Sequence, residues 1–169
     1  MNLVAPSTLP HIRERHIDDS AELAKFIAPD TTVIDLGSGA GFPAVVLAIL
    51  GWRVFAIESI KKKCDFLNAV KTAIGLENLT IINDRAENII KNSALSIKNS
   101  IFTARAFAPL IRILDWTAGA KIPYVLLKGE NVMTEIAEAK KKYKFDYKLT
   151  PSSTGPGFVL ELKLSSLKN

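Results

Sequence analysis

In residues 31–43, TTVIDLGSGAGFP, glycines recur at every second position behind a carboxylate. Gly37, Gly39 and Gly41 carry no Cβ and tolerate positive φ, so their turn can be tight and a ligand can approach the backbone closely. Pro43 has a φ preset for a first helical position and opens the apolar run AVVLAIL at 44–50. The free N–H groups and positive dipole end of that helix then face the ligand, with the Asp35 carboxylate beside them. Glu58 follows at the end of the next strand, 21 residues after Gly37. A carboxylate there can accept from both hydroxyls of a ribose.

Several cradles of this kind exist, and the spacing separates them. A dinucleotide fingerprint needs G-x-G-x-x-G. Counted from Gly37, its third glycine falls on Phe42; counted from Gly39, Gly41 stands at a variable position. No Gly-Lys-Ser/Thr closes the turn, so a phosphate-binding P-loop is excluded. The pattern D-x-G-x-G-x-G instead resembles motif I of class I S-adenosylmethionine (SAM) methyltransferases. Asp35, Gly37, Gly39, Gly41, Phe42 and Glu58 are therefore candidate cofactor residues. The loop after the third strand adds Ala86 and Glu87, which can flank an adenine.

Arg105 ends the fourth strand, at the centre of the crevice where cofactor and substrate would meet. It is the candidate catalytic residue and a further cofactor contact, or else a structural ion pair with Asp35 or Asp84. The chain reads Ala104, Arg105, Ala106, Phe107 there, and lacks the (Asn/Asp)-Pro-Pro-aromatic signature of enzymes that methylate exocyclic amines. A ring nitrogen with an in-plane lone pair is already nucleophilic and asks only for alignment and exclusion of water. Cys64, the single cysteine, argues against the covalent route used on pyrimidine carbon five. His11 and His16 sit close together in a basic leader, which supports neither a hydrolytic triad nor a metal site.

The elements that must position these residues follow from periodicity. Strands are predicted at 32–36, 53–57, 79–82, 101–104 and 123–127, and a closing hairpin at 145–150 and 158–164. Helices are predicted over 44–50, 61–74 (stopped by Gly75), from 110 through Trp116, and over 135–144. Before them, HIRERHIDDSAELAKFI can form a helix capped by Asp18 or Asp19, with Leu23, Ala24 and Ile27 inward. Arg15 and His16 precede that cap, either as a solvated basic segment or as a phosphate or base contact. The lysine triplets at 61–63 and 140–142 read first as solvated faces, and 1–10 and 91–100 as turn-prone or surface connections. The outcome is an α/β fold, a mostly parallel seven-stranded sheet with an antiparallel edge strand and helices on both faces.

At 169 residues the chain suits a single domain with a sizeable core. Its 22 Lys+Arg against 17 Asp+Glu give a net charge of +5, which permits a nucleic-acid partner without demanding one. A lone cysteine suits a reducing compartment, and neither a signal peptide nor a membrane span is legible, so a cytoplasmic monomer is expected.

NLVAPSTLPHIRERHIDDS, VIDLGSGAGFPAVVLAI, ESIKKKCDFL, TARAFAPL and LLKG, in this order, resemble successive signatures of the RsmG (GidB) family of bacterial 16S ribosomal RNA methyltransferases. The resemblance implies a class I, Rossmann-like methyltransferase fold and methyl transfer from SAM to ring nitrogen seven of a guanine in the decoding-region hairpin of 16S rRNA. The partner would be 16S rRNA or the 30S particle. It carries Gly37 and Phe42 to the SAM site, Ala86 and Glu87 to its adenine side, and Arg105 to its reacting end. Arg15 and His16 match a family Arg-His pair expected to face the RNA, as is Lys128 of LLKG. Ala44 stands where the family usually has glycine, and the family usually carries a helical extension ahead of Asn2, expected to be missing or shortened here. A SAM-binding module without catalysis and a small-molecule methyltransferase remain as alternatives.

Overall fold

The predicted strands are apolar on both faces, and such a sheet needs helices above and below it. A computed structural model describes residues 10–91 and 98–167 of the chain. Its strands are β1 (Thr32–Leu36), β2 (Val54–Glu58), β3 (Leu79–Asn83), β4 (Ser100–Arg105), β5 (Tyr124–Lys128), β6 (Tyr143–Pro151) and β7 (Phe158–Leu167). They form one sheet in the order β3-β2-β1-β4-β5-β7-β6. β1 to β5 pair in parallel, and β7 runs antiparallel to both β5 and β6. The antiparallel strand therefore lies one place in from the edge. The reason is the hairpin: β7 registers its apolar Val159, Leu160 and Leu162 against β5, and the more polar β6 is left outermost.

The helices are α1 (Asp19–Glu22), α2 (Ala44–Ile49), α3 (Lys61–Ile74), α4 (Ala86–Lys91), α5 (Leu110–Thr117) and α6 (Val132–Lys142). Strand alternation sends Ile34 and Leu36 to one face and Val33 to the other. The first face packs Phe102, Tyr124 and Leu126 against Leu110 and Ile113 of α5 and Ile136 of α6. The second packs Val54, Val125 and Val159 against Leu23, Ile27 and Leu47. Gly75 ends α3 at φ +67, the left-handed stop expected there.

Three local expectations change. Asp18 and Asp19 do not cap a helix: Asp18 is itself helical at φ −65, ψ −41, inside a continuous helical leader that is π-helical at Arg13–Asp18 and ends in a 3-10 turn at Leu23–Phe26. A cap residue must leave helical dihedrals so that its side chain can turn back on the amides, and here the Asp19 carboxylate is engaged elsewhere. Pro43 is the cap of α2 rather than its first residue. Tyr143 and Lys144 belong to β6 rather than to the preceding helix, because Tyr143 and Phe145 turn inward as strand neighbours. The expected connections at 1–10 and 91–100 fall largely outside the described residues. No helix among the described residues is long and apolar enough to cross a membrane.

Candidate functional site

The sheet order reverses between β1 and β4, and a crevice opens at the carboxyl ends of strands beside such a switch point. The glycine turn stands there, with the Gly37 and Ser38 amides donating to Ile57 O at 2.9 and 3.0 Å. All three glycines of the turn are left-handed, at φ +68, +55 and +94. A Cβ on Gly41 would stand 2.5 Å from Val45 Cγ2, so this glycine lets α2 approach the turn. At Gly37 it would stand 2.0 Å from the Phe107 ring. At Gly39 the nearest described atom is Gly37 O at 3.7 Å, so that face of the turn is open.

Glu58 is buried at the end of β2, and its Oε2 accepts from Gly39 N at 3.0 Å while Oε1 accepts from Ile60 N at 2.8 Å. Each oxygen keeps a second lone pair, so the carboxylate can brace the turn and still accept from a ligand. Glu58, Gly37, Ala86, Glu87, Phe107 and Trp116 line a cleft of about 290 Å³. Ala86 and Glu87 form the first turn of α4, with Arg85 Nε on Glu87 at 2.8 Å. Lys63, from the triplet read as solvated, also reaches this cleft, whereas Lys61 and Lys62 are exposed. The Gly37 backbone, a carboxylate braced by the Gly39 amide and the small Ala86 in one cleft fit a nucleoside-bearing cofactor such as SAM.

Asp35 does not line the cleft. It is 0 % exposed, in register with Thr103 of β4, whose hydroxyl donates to Oδ1 at 3.1 Å. Oδ2 is buried with no hydrogen-bond partner among the described residues. Burial pushes this carboxyl up to about 7, against the opposing influence of Ser38, Thr103, the Ala44 amide and the Arg105 charge. Asp35 thus acts on the turn from beneath.

Arg105 lies on the other side of Phe107, lining a second cavity of about 510 Å³ with Arg15, His16, Asp19, Lys128 and the β6–β7 turn. Its Nη1 donates to Arg15 O at 2.6 Å and reaches Asp19 Oδ2 at 3.4 Å, and its guanidinium lies 5.7 Å from the centre of the Phe42 ring. Nη2 meets His16 Nδ1. An arginine only donates, so Nδ1 accepts and His16 is the neutral tautomer carrying its proton on Nε2. Burial, then the Arg105 charge, lower the His16 pKa and favour that neutral ring. His16 also stacks on Phe42 at 5.2 Å, so Phe42 faces the leader and lies outside the lining of both cavities. Arg15 is exposed, whereas His16 is buried.

Lys128 ends β5 with Nζ 2.5 Å from Glu135 Oε2 and 3.0 Å from Ala108 O. Glu135 Oε2 also takes the Leu110 amide at 2.8 Å, joining α5 to α6. The leader is held across the cavity by Glu22, whose carboxylate accepts from Ser152 Oγ at 2.5 Å, Ser153 N at 2.7 Å and Ser153 Oγ at 2.6 Å. Asp19 accepts from the Thr154 hydroxyl.

The structure therefore divides the predicted residues. Gly37, Glu58, Ala86 and Glu87 share one cleft; Arg105, Arg15, His16 and Lys128 share the other. Phe107, Asp19 and Glu22 escaped the sequence reading. An aromatic two places beyond Arg105 was a usable signal for Phe107. Glu22 pairs with residues some 130 positions away, and no local pattern announces that.

Residues 1–155 match the family model described as rRNA small subunit methyltransferase G. The Rickettsia prowazekii (strain Madrid E) ribosomal RNA small subunit methyltransferase G is 41% identical over 167 residues, covering 96% of this chain and 84% of that protein. Its Caulobacter sp. (strain K31) counterpart is 44% identical over 177 residues, covering 96% and 75%. In fold, the chain is similar to M. capricolum TrmK, solved with S-adenosyl-homocysteine, at a TM-score of 0.67, 14% identity, and coverage of 89% and 69%. A SAM-dependent methyltransferase from Aquifex aeolicus gives 0.63, 13% identity, and coverage of 95% and 98%. Sheet order, glycine turn and these relatives converge: the chain belongs to the rRNA small subunit methyltransferase G family, on the class I SAM-dependent methyltransferase fold.

Proposed function

We propose that the chain methylates ring nitrogen seven of a guanine in the decoding-region hairpin of 16S rRNA, with SAM as methyl donor. The observation that carries this reading is the pair of cavities meeting at Ala106 and Phe107, one braced by the glycine turn and the other lined by arginine, histidine and lysine. SAM, when bound, supplies an electrophilic sulfonium methyl. Gly39 offers the cofactor bare backbone, while Gly37 and Gly41 shape the turn by letting Phe107 and α2 close against it; Glu58 holds the ribose, and Ala86 and Glu87 flank the adenine. Asp35 serves the same site by holding the turn against β4. Arg105 stands at the reacting end and keeps Arg15, His16 and Asp19 in place around the substrate. No group is needed to activate ring nitrogen seven, so the chain's work is alignment and exclusion of water.

Incubation with labelled SAM and 30S particles or 16S rRNA lacking the modification should label one guanine at ring nitrogen seven. Retained SAM binding with no transfer to either RNA overturns the reading in favour of a cofactor-binding module.

A further inference from the structure

Ala106 and Phe107 are common to the linings of both cavities. Ala106 has φ +48, a conformation rare for a residue with a Cβ. Backbone strain of that kind, on the order of 1 kcal/mol or more, persists where surrounding structure over-determines it. Here it turns the chain after β4 so that Phe107 packs over Gly37 and lies 5.5 Å from the Trp116 ring. The half-buried Phe107 is thus the aromatic partition between the cofactor cleft and the second cavity.

Two carboxylates border the second cavity. Glu135 is matched through Oε2 by the Lys128 ammonium and the Leu110 amide. Asp19 takes one hydroxyl hydrogen bond, from Thr154, and a 3.4 Å contact from Arg105, and its side chain is still 27% exposed. It therefore retains acceptor capacity.

A base attacked at ring nitrogen seven must turn that edge towards the cofactor and its Watson–Crick edge away. Guanine alone among the four bases presents two adjacent donors on that edge, the ring N–H and the exocyclic amine. A carboxylate accepts both at once. Enzymes that act on a base draw it out of the stack and hold it against aromatic side chains while reading its Watson–Crick edge.

We propose that the second cavity is the seat of the extruded guanine, with Phe107, at the boundary of the two cavities, stacking on one face of the base so that the ring nitrogen seven edge points past it towards the cofactor cleft, and Asp19 as the acceptor that reads its Watson–Crick edge. This rests on the methyltransferase reading above. It makes Asp19 a specificity residue and assigns the strained Ala106 the task of aiming Phe107.

Inosine lacks only the exocyclic amine of guanosine, so the first test needs no variant. Two otherwise identical decoding-region hairpin RNAs, with guanosine or inosine at the target position, are compared as substrates. The natural chain should use guanosine at least about tenfold better in kcat/KM, the effect of one charge-assisted hydrogen bond. Asp19→Asn should bring the two within about twofold while SAM affinity, read by calorimetry, is unchanged. Phe107→Ala should lower kcat/KM for the RNA by about 10- to 100-fold, the range for loss of a stacked base, with Phe107→Tyr restoring it. Equal use of both RNAs by the natural chain, or an undiminished preference in Asp19→Asn, overturns the assignment of Asp19. Full activity in Phe107→Ala overturns that of Phe107. The seat is also read without turnover, by photo-cross-linking a hairpin that carries 6-thioguanosine at the target position. Adducts within 105–109 or 152–158 support the cavity, and adducts confined elsewhere refute it. A chain that cross-links there but methylates neither RNA fails the methyltransferase reading alone.

Discussion

Asp35 is a fully buried carboxyl group, and its hydrogen bond from Thr103 leaves Oδ2 unmatched among the described residues. Its folded pKa, about 7, lies above its ordinary 3.8, so the folded chain holds a proton that the unfolded chain has released. The stability contributed by this protonated form is complete below about pH 4 and is lost as pH rises to about 7, by roughly 4 kcal/mol if the whole shift is realised. Asp35→Asn imitates the protonated group. Urea unfolding without cofactor should show that variant as stable as the natural chain near pH 4 and more stable near pH 7.5; an identical pH slope in both contradicts the assignment. Gly39 tests the cradle at the same scale. At φ +55, a β-branched side chain is strained by about 1–2 kcal/mol and projects from the open face of the turn. Gly39→Val should weaken SAM binding by more than about tenfold in calorimetry, and unchanged affinity would remove the turn from the cofactor site. The spacing that placed Asp35 before the glycines was legible along the chain. Its burial was not, since that arises from β4 lying alongside β1.

The leader and the β6–β7 turn are the elements whose meeting encloses the second cavity. Glu22 joins them: burial acts to raise its pKa, but hydrogen bonds from Ser152 and Ser153, side chain and backbone, outweigh it and hold the carboxyl below its ordinary range. A depressed carboxyl contributes stability above its unfolded pKa of about 4.5 and loses it as pH falls through the folded value. Acidification should therefore release the leader from the turn, visible as earlier amide exchange at Ser153 than in the core strands. Glu22→Ala removes the acceptor and should lower stability by about 1–3 kcal/mol in chemical denaturation. A loss below about 0.5 kcal/mol would mean that the clamp is incidental. Of these elements, the hairpin was readable from its alternation and from the Pro and Gly residues between its strands. The leader's helical character was readable too, but its supposed cap was misplaced. Asp18 and Asp19 have a good capping composition, and a continuous helix with its own tertiary partners overrode it.

For the whole molecule, a net charge of +5 sets the long-range attraction for RNA, and the exposed Arg15 lines the second cavity. RNA affinity should fall linearly with salt on logarithmic axes. Arg15→Ala should reduce that slope by about 1 without altering SAM affinity, and an unchanged slope would take Arg15 out of the RNA contact. Strand period, glycine spacing and the order of βα units are properties of neighbouring residues. The seven strands, the turn at Gly37 to Gly41 and the acidic residue at Glu58 were therefore written in the chain, along with the methyltransferase fold they imply. The partition was not. Separating Glu58 from Arg105 by Phe107, burying His16 against Phe42, and matching Glu22 to Ser152 and Ser153 require residues far apart in sequence to share one volume. Such pairings are selected by packing of the leader and hairpin onto the completed sheet, and they leave no periodic trace to read beforehand.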